Sequence, residues 1–424
     1  MPQQKKTSKT AKNLTTSVLI VGGGPAGLTL ACLLGSQGIQ TICLDREDPV
    51  EQLKEKFDGR TTALSSASMR VLKAAGVWPL LEKDAEPILD IRVADGASPL
   101  FLHFASEETA DGPFGWIVDN KILRQALFGR LEKLKSVTHL TSCLAQDFSD
   151  TGNAAITVRT ADGYTIRASL LIGADGRSSA VRNWRKIKMR SFDYGQTAIV
   201  CCAEHELDHE NAAVEHFCPA GPFAVLPMRR GKGGVYRSSV VWCEAPANAK
   251  KILALDAHKF DQKLAQKFGD HLGSVRHAGV RMGYPLKLMM ATSYVAKRTA
   301  LIGEAAHAIH PVAGQGLNLS MRDIAVLAEL IENYAGLGLD IGSVSLLKAY
   351  QALRHMDNLM MAVVTDGLVR LFSNDRRILR FLRDSGLGIV QRLPPLKRFF
   401  SRQAMGLMGK TPKIVKKGVL SINR

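Results

Sequence analysis

SVLIVGGGPAGLTLACLLGSQGIQTICLD, residues 17–45, decides the fold. The apolar run Val18-Leu19-Ile20-Val21 leads directly into Gly22, Gly24 and Gly27, a G-x-G-x-x-G in which Pro25 and Ala26 fill the two places before the last glycine. Leu28, Leu30, Ala31, Leu33 and Leu34 then recur at helical spacing, and a second β-like run, Thr41 to Leu44, ends in Asp45. Each part has a physical task. Gly22 permits the tight turn, Gly24 lets a pyrophosphate approach the backbone, and Gly27 lets helix and strand pack closely. The helix start turns free N–H groups and a positive dipole end toward phosphate, and Asp45 stands where a carboxylate takes a pair of ribose hydroxyls. A lone G-x-G-x-x-G is weak evidence; strand, glycines, helix, second strand and acid in this order predict a dinucleotide held by its adenosine half.

Two more stretches carry chemistry. LLIGADGRSSAVR, residues 170–182, reads as a buried strand that delivers Asp175 to its carboxyl end, where open α/β sheets bind ligands; a plain Asp-Gly turn has the same pattern. ALIGEAAHAIHPVAGQGLNLSMRD, residues 300–323, places Glu304 at the end of a buried strand. Gly314 and Gly316 then open a long helix, predicted from Asn318 to Tyr334, whose free N–H groups suit an electron-rich acceptor such as a reduced isoalloxazine ring. His307 and His310 lack a nearby third ligand, so no metal is expected, and packing or flavin-edge roles fit them better.

Between these stretches the pattern changes. Ser65 or Ser66 caps a predicted helix running to Gly76, and polar and apolar residues alternate from Leu80 to Phe104. A helix is predicted over Leu123 to Leu134, and turns at Gly152-Asn153 and Asp162-Gly163 flank a strand, Ala155 to Thr160. From about 183 to 285 alternating apolar strands dominate, which reads as an inserted antiparallel sheet. The expected architecture is α/β: a Rossmann-like FAD-binding domain (15–80, 105–182 and 286–342), an antiparallel-sheet substrate domain (81–104 and 183–285), a disordered basic tail (1–14) and a helical, basic C-terminal segment (343–424).

The 424 residues carry a formal charge of +17 with a pI near 9.6, which calls for an anionic partner: nucleic acid, anionic lipid or an acidic substrate. Seven cysteines without a C-x-x-C point to buried thiols in a reducing compartment. The sequence has no apolar run of spanning length, and the polar, basic N-terminus does not read as a secretory signal.

The three stretches, with D-x-R…ALS…S (Asp58, Arg60, Ala63, Leu64, Ser65, Ser68), Gly76-Val77-Trp78, V-x-N-x-x-L-R (Val118 to Arg124), G-P-F-A-x-L-P (Gly221 to Pro227) and Arg322-Asp323, resemble the ubiquinone-biosynthesis hydroxylases within the p-hydroxybenzoate hydroxylase class of flavoprotein monooxygenases. The resemblance runs from Ser17 to about Gly406. It implies that Gly22, Gly24, Pro25, Ala26, Gly27 and Asp45 hold the ADP part of FAD, with Arg124 against its pyrophosphate or ribose. The Asp175 stretch would serve both FAD and NAD(P)H, and Arg60 would face the NAD(P)H approach. Glu304, Pro311, Gly314, Gly316, Leu317 and Asn318 would hold the ribityl chain and ring. The family usually has Asp where this chain has Glu304, and the extra methylene shifts the carboxylate's reach. The implied reaction hydroxylates the ring of a polyprenyl phenol on the way to ubiquinone, with NAD(P)H and O₂, through a flavin 4a-hydroperoxide. No residue is assigned as catalytic base. The alternatives are a flavin oxidoreductase of the same fold acting on another substrate, or a scaffold that holds FAD without catalysis.

From Arg392 onward basic residues alternate with apolar ones and no acid intervenes. This reads as a solvated terminus or as an attachment to anionic lipid; nucleic acid is set aside, since no recognition fold accompanies the charge. The resemblance implies a cytoplasmic protein that meets a lipophilic phenol, with the inner membrane face and other enzymes of the quinone pathway as candidate partners.

Overall fold

The computed structural model describes residues 12–54, 58–96, 101–108 and 112–372, and short runs between 395 and 414. Most of the basic segment from Arg392 therefore lies outside the described residues, as do residues 1–11 of the predicted N-terminal tail. The remainder of that tail is strand. Lys12–Val21 pairs in parallel with Tyr164–Gly173, beginning at Lys12 opposite Tyr164, and the Lys12 ammonium lies over the Tyr164 ring.

Val18, Leu19 and Ile20 are fully buried because their strand is central, with parallel neighbours on both sides. The order is Thr299–Leu301, Tyr164–Gly173, Lys12–Val21, Thr41–Leu44, Val137–Leu140, all parallel. The first helix, Pro25–Ser36, packs its buried Leu28, Leu30, Leu33 and Leu34 into the same core. The turns at 152–153 and 162–163 connect antiparallel strands added beside Tyr164–Gly173.

The second sheet is antiparallel but for one pair. Met189–His205 lies between Tyr236–Glu244 and Val275–Ala291; Gly221–Met228, Ala212–Cys218, Asp90–Asp95 and Phe101–Ala105 follow in order. The boundary placed at 285 falls inside the strand Val275–Ala291, because residues 287–291 continue the ladder against 189–193. His307–Ala308 adds a further edge, so the stretch carrying Glu304 touches both sheets. The insert also contains two helices that strand alternation hid, Pro246–Leu253 and Ala257–Phe268. The second buries Phe260, Leu264 and Phe268, four residues apart, against Ile199 and Trp242.

A small third sheet, Thr61–Ser65 with Gly115–Asp119 and Glu86–Ile88, stands beside the second one. The helix read as Leu123 to Leu134 spans Asn120–Leu131. The long helix spans Gln315–Gly336, starting directly after Gly314. An outer helix, Val344–Phe372, packs along it. Among the described residues no helix is long and apolar enough to cross a membrane.

Candidate functional site

The first strand–helix turn is built almost without side chains. Gly22 has φ +116°, and a Cβ there would overlap the Ala174 carbonyl; a Cβ on Gly27 would overlap the carbonyl of Gly22. A Cβ on Gly24 would meet nothing within 4 Å, so the backbone faces open space at the point where the helix begins. No side chain caps this end, and Pro25 occupies the first turn. The N–H groups of the turn and the helix dipole aim into that space, a combination that accepts a pyrophosphate. Asp45 closes the turn on one side, leaning over Gly23. Its Oδ2 accepts from Gln52 Nε2 at 2.5 Å and its Oδ1 from the Glu47 N–H at 3.1 Å. A carboxylate oxygen accepts more than one hydrogen bond, so Asp45 retains capacity for a ribose hydroxyl pair. Gln52, at the end of the short helix Pro49–Gln52, carried no signal in the sequence.

Arg60 and Arg124 meet on Asp58. Asp58 accepts from Arg60 Nε at 2.8 Å and Nη2 at 3.0 Å, from Arg124 Nη2 at 2.8 Å and from Asn120 Nδ2 at 3.0 Å. Burial works against its charge, but the hydrogen bonds and charge of Arg60, with Arg124 and Asn120, outweigh it and hold the carboxyl far below the usual range. Arg60 also stacks on Tyr284 of the second sheet, 4.8 Å from the ring centre. Asp58 is thus the organiser of two predicted binding residues. Its D-x-R spacing was visible, and its role was not.

Asp175 follows the strand Tyr164–Gly173. Its Oδ2 accepts from the N–H groups of Ala180 and Val181, fixing the loop to the short helix Ala180–Trp184. Its Oδ1 is buried and has no hydrogen-bond partner among the described residues, which fits a hydroxyl-rich ligand. Arg177, two residues on, donates to Glu304 Oε1 from Nε and Nη2 at 3.1 and 2.9 Å. This pair is half exposed and joins the second stretch to the third.

At the third stretch, Pro311, Val312 and Gly314 make one tight turn, and Gly314 (φ +62°) sits against Ala63, where a Cβ would approach to 2.8 Å. Only glycine meets both demands. The helix after it has no side-chain cap, and Gly316 faces open space. Leu317 is half-buried beside it. The Asn318 side chain turns inward: Nδ2 donates to the carbonyls of Ala63 and Gly314, and Oδ1 accepts from Ser65 N–H and Ser68 Oγ. With the side chain's capacity used on protein partners, Asn318 fixes the backbone of the helix start.

The two histidines go separate ways. His307 Nε2 lies 2.5 Å from Asp323 Oδ2 in a buried cluster that also holds Arg354 and Asn358. Burial raises the Asp323 pKa, but His307 and Arg354 bring it down to about 2. His310 donates from Nε2 to Gln196 Oε1 at 3.1 Å, and its Nδ1 accepts the Val312 N–H at 3.3 Å. Burial lowers its pKa to about 4, so it is a neutral brace between the loop and the second sheet. Tyr194 packs edge-on against it at 5.0 Å. Neither Gln196 nor Tyr194 had any motif to announce it.

Two uncapped, glycine-opened helix ends beside a largely parallel sheet make this an α/β fold of the dinucleotide-binding kind. The model of the FAD binding domain family matches residues 15–363. The ubiquinone hydroxylase UbiL of Rhodospirillum rubrum is 48% identical over 408 residues, 95% of this chain and 92% of that protein. The 3-demethoxyubiquinol 3-hydroxylase of Escherichia coli is 32% identical over 399 residues, 93% and 100% of the two chains. Among solved structures, p-nitrophenol 4-monooxygenase PnpA of Pseudomonas putida shares the fold with a TM-score of 0.77 at 20% identity, covering 94% of this chain and 99% of its own. The chain belongs to the ubiquinone-biosynthesis hydroxylase family of FAD-dependent aromatic monooxygenases.

Proposed function

We propose that this monooxygenase hydroxylates the aromatic ring of a polyprenyl phenol intermediate of ubiquinone biosynthesis, consuming NAD(P)H and O₂. One observation carries the substrate assignment: the 48% identity along 95% of the chain with a protein named as a ubiquinone hydroxylase. FAD, when bound, supplies two-electron reduction by the nicotinamide and the activation of O₂. The chain's own residues bind, orient and keep dry. The turn at Gly22, Gly24, Pro25, Ala26 and Gly27 takes the pyrophosphate, Asp45 the adenosine ribose, and the N–H groups after Gly314 the ring edge. Asp175 Oδ1 and Glu304 offer acceptors to hydroxyls between these ends. Asp58 aims Arg124 and Arg60, the first toward the phosphates and the second toward the side from which NAD(P)H arrives. An apolar cluster including Val312, Phe217, Met228 and Ile117, with Tyr194 and Leu226 packed against it, flanks the loop and suits a lipophilic ring that must react away from water. His310, neutral and saturated, braces that wall. A bilayer surface is the source such a substrate calls for, and other enzymes of the pathway are the partners.

The test is mass spectrometry of quinone-pathway lipids in cells lacking the protein. Accumulation of a polyprenyl phenol one oxygen short is the expected result, and its structure names the ring position. An unchanged lipid profile, with purified enzyme that in the presence of such phenols oxidises NAD(P)H while reducing O₂ only to hydrogen peroxide, overturns the assignment.

A further inference from the structure

The outer helix Val344–Phe372 is apolar on its outer side, while its buried side mixes Leu346, Leu347, Met361, Ala362 and Val369 with polar groups. Its inner face carries Tyr350, Arg354, Asn358 and Thr365, all buried; Tyr350 donates to the Leu301 carbonyl, and Arg354 and Asn358 hold Asp323. Its outer face presents Leu353, Met356, Met360, Val363, Val364 and Leu368, with Met356, Met360 and Val363 each more than 60% exposed. The spacing of three and four residues makes them one stripe, about 22 Å long at ~1.5 Å per residue. No exposed position between Lys348 and Arg370 carries a charge, since Asp357 turns to Arg354 and Arg322, and Asp366 to Arg370. Scattered apolar side chains on a surface need no explanation, but a contiguous exposed apolar stripe on a helix whose other side is already packed does.

We propose that this stripe seats on an anionic lipid bilayer. This deepens the lipophilic-substrate reading above and rests on it for its purpose. Three observations favour lipid over a second copy of the chain. Cations stand at both ends of the stripe, Lys348 and Arg370, and the 52 residues after Phe372 hold thirteen Lys and Arg against two Asp. Two copies packed through the stripe would bring these like charges together, whereas anionic headgroups neutralise them. The stripe is also continuous with the candidate site. The Arg370 guanidinium covers Phe192, itself 44% exposed; Phe192 packs on Tyr194 at 5.4 Å, and Tyr194 on His310, next to Pro311. A line of rings therefore leads from the stripe to the loop that opens the long helix, and a second copy seated there would cover its outer end.

Flotation of the full chain, FAD bound, tests the seat with vesicles of phosphatidylcholine alone and with phosphatidylglycerol added. The full chain should float with the anionic vesicles, and the double variant Met360→Glu, Val363→Glu should partition about tenfold less or weaker still. A wild-type chain that stays in the load, or a double variant that floats equally well, overturns the proposal; in the second case binding belongs to the basic C-terminal sequence. Met360→Trp keeps the surface apolar and guards against misfolding of the charged variant. Its added emission should be quenched by brominated acyl chains, and unquenched emission on bound vesicles counts against the proposal. Dimerisation of the lipid-free chain that the double variant abolishes, without vesicle binding, assigns the stripe to a second copy instead. None of these readouts uses turnover, so failed seating and a failed substrate assignment are separable.

Discussion

The two helix starts proposed to face the flavin solve the same problem by opposite means. At Pro25–Ser36 the turn is fixed by what is missing: glycines without side chains, a helix held by Leu28, Leu30, Leu33 and Leu34, and no side-chain cap. At Gln315–Gly336 the start is fixed by what is added. Asn318 ties it to Ala63, Ser65 and Ser68, His310 ties its loop to Gln196, and one turn further along Asp323 holds His307, Arg354 and Asn358. The first kind of end is rigid because nothing can intrude. The second is rigid because several polar groups agree, and it fails if one is removed.

The difference predicts how each end breaks. Asp323→Ala leaves the buried His307 without its carboxylate and Arg354 with Asp357 alone, and breaking a buried pair costs up to ~3–5 kcal/mol. Urea unfolding should show that loss in the apoprotein, before any flavin is added. A loss below ~1 kcal/mol would mean that the cluster relaxes or admits water, and that the second end is no more polar in its energetics than the first. Gly27→Val attacks the first end. Its Cβ meets the Gly22 carbonyl, and the backbone shift of ~1–3 kcal/mol corresponds to FAD binding about 10- to 100-fold weaker at ~1.4 kcal/mol per decade. Gly24→Ala has free space on the protein side, so it should leave apoprotein stability unchanged while still weakening FAD. Fluorescence titration of the apoproteins with FAD separates the two.

The first end was legible in the sequence and the second only in outline, for a physical reason. A turn made of glycines writes itself at fixed short spacing, so Gly22, Gly24, Gly27 and Asp45 stand where the motif puts them. A polar brace joins residues far apart in the chain. Asn318 is 253 positions from Ser65 and His310 is 114 from Gln196, and no local pattern records such pairs. The same holds for Asp58, whose spacing to Arg60 was visible while its bond to Arg124, 66 positions away, was not. The helix Ala257–Phe268 was missed because its four-residue spacing of Phe260, Leu264 and Phe268 lies among strands whose alternation dominates. The apolar outer face of Val344–Phe372 has helical spacing in the sequence, but spacing alone does not say which face is covered.

pH separates the two ends next. His310 is neutral in the fold because burial lowers its pKa to about 4, against 6.5 for an ordinary histidine. The unfolded chain therefore takes up a proton that the folded one refuses. Stability from this group is complete above pH 6.5 and falls as pH drops from 6.5 toward 4, at up to ~1.4 kcal/mol per unit. Asp323, also depressed, loses its contribution only lower, as pH falls from about 4 toward 2. Melting temperatures of wild type and His310→Gln, measured from pH 7.5 to 4.5, should converge as pH falls, because the variant lacks this proton-linked loss. Parallel curves would show that His310 titrates normally and that the brace is open to water.

The smallest effect is expected at the one polar tie that is exposed. Arg177 and Glu304 are each about 40–50% accessible in their side chains, and exposed pairs contribute ~0–1 kcal/mol. Arg177→Gln should therefore hardly move the unfolding midpoint. Its effect on FAD affinity is the informative part. If Glu304 serves the flavin, releasing it from Arg177 costs little, whereas Glu304→Gln removes an ionised acceptor from a ligand hydroxyl. A hydrogen bond to a charged group is worth ~1.5–3 kcal/mol, so Glu304→Gln should weaken FAD by roughly tenfold or more at ~1.4 kcal/mol per decade. Glu304→Asp separates the roles, since the shorter side chain keeps a carboxylate but draws back from Arg177. Affinity kept in Glu304→Asp but lost in Glu304→Gln assigns the carboxylate to the flavin and leaves the Arg177 pair as a consequence of the extra methylene. Equal losses in Arg177→Gln and Glu304→Gln would instead make the pair itself the functional unit, and this exposed tie would then belong with the buried ones at the second helix start.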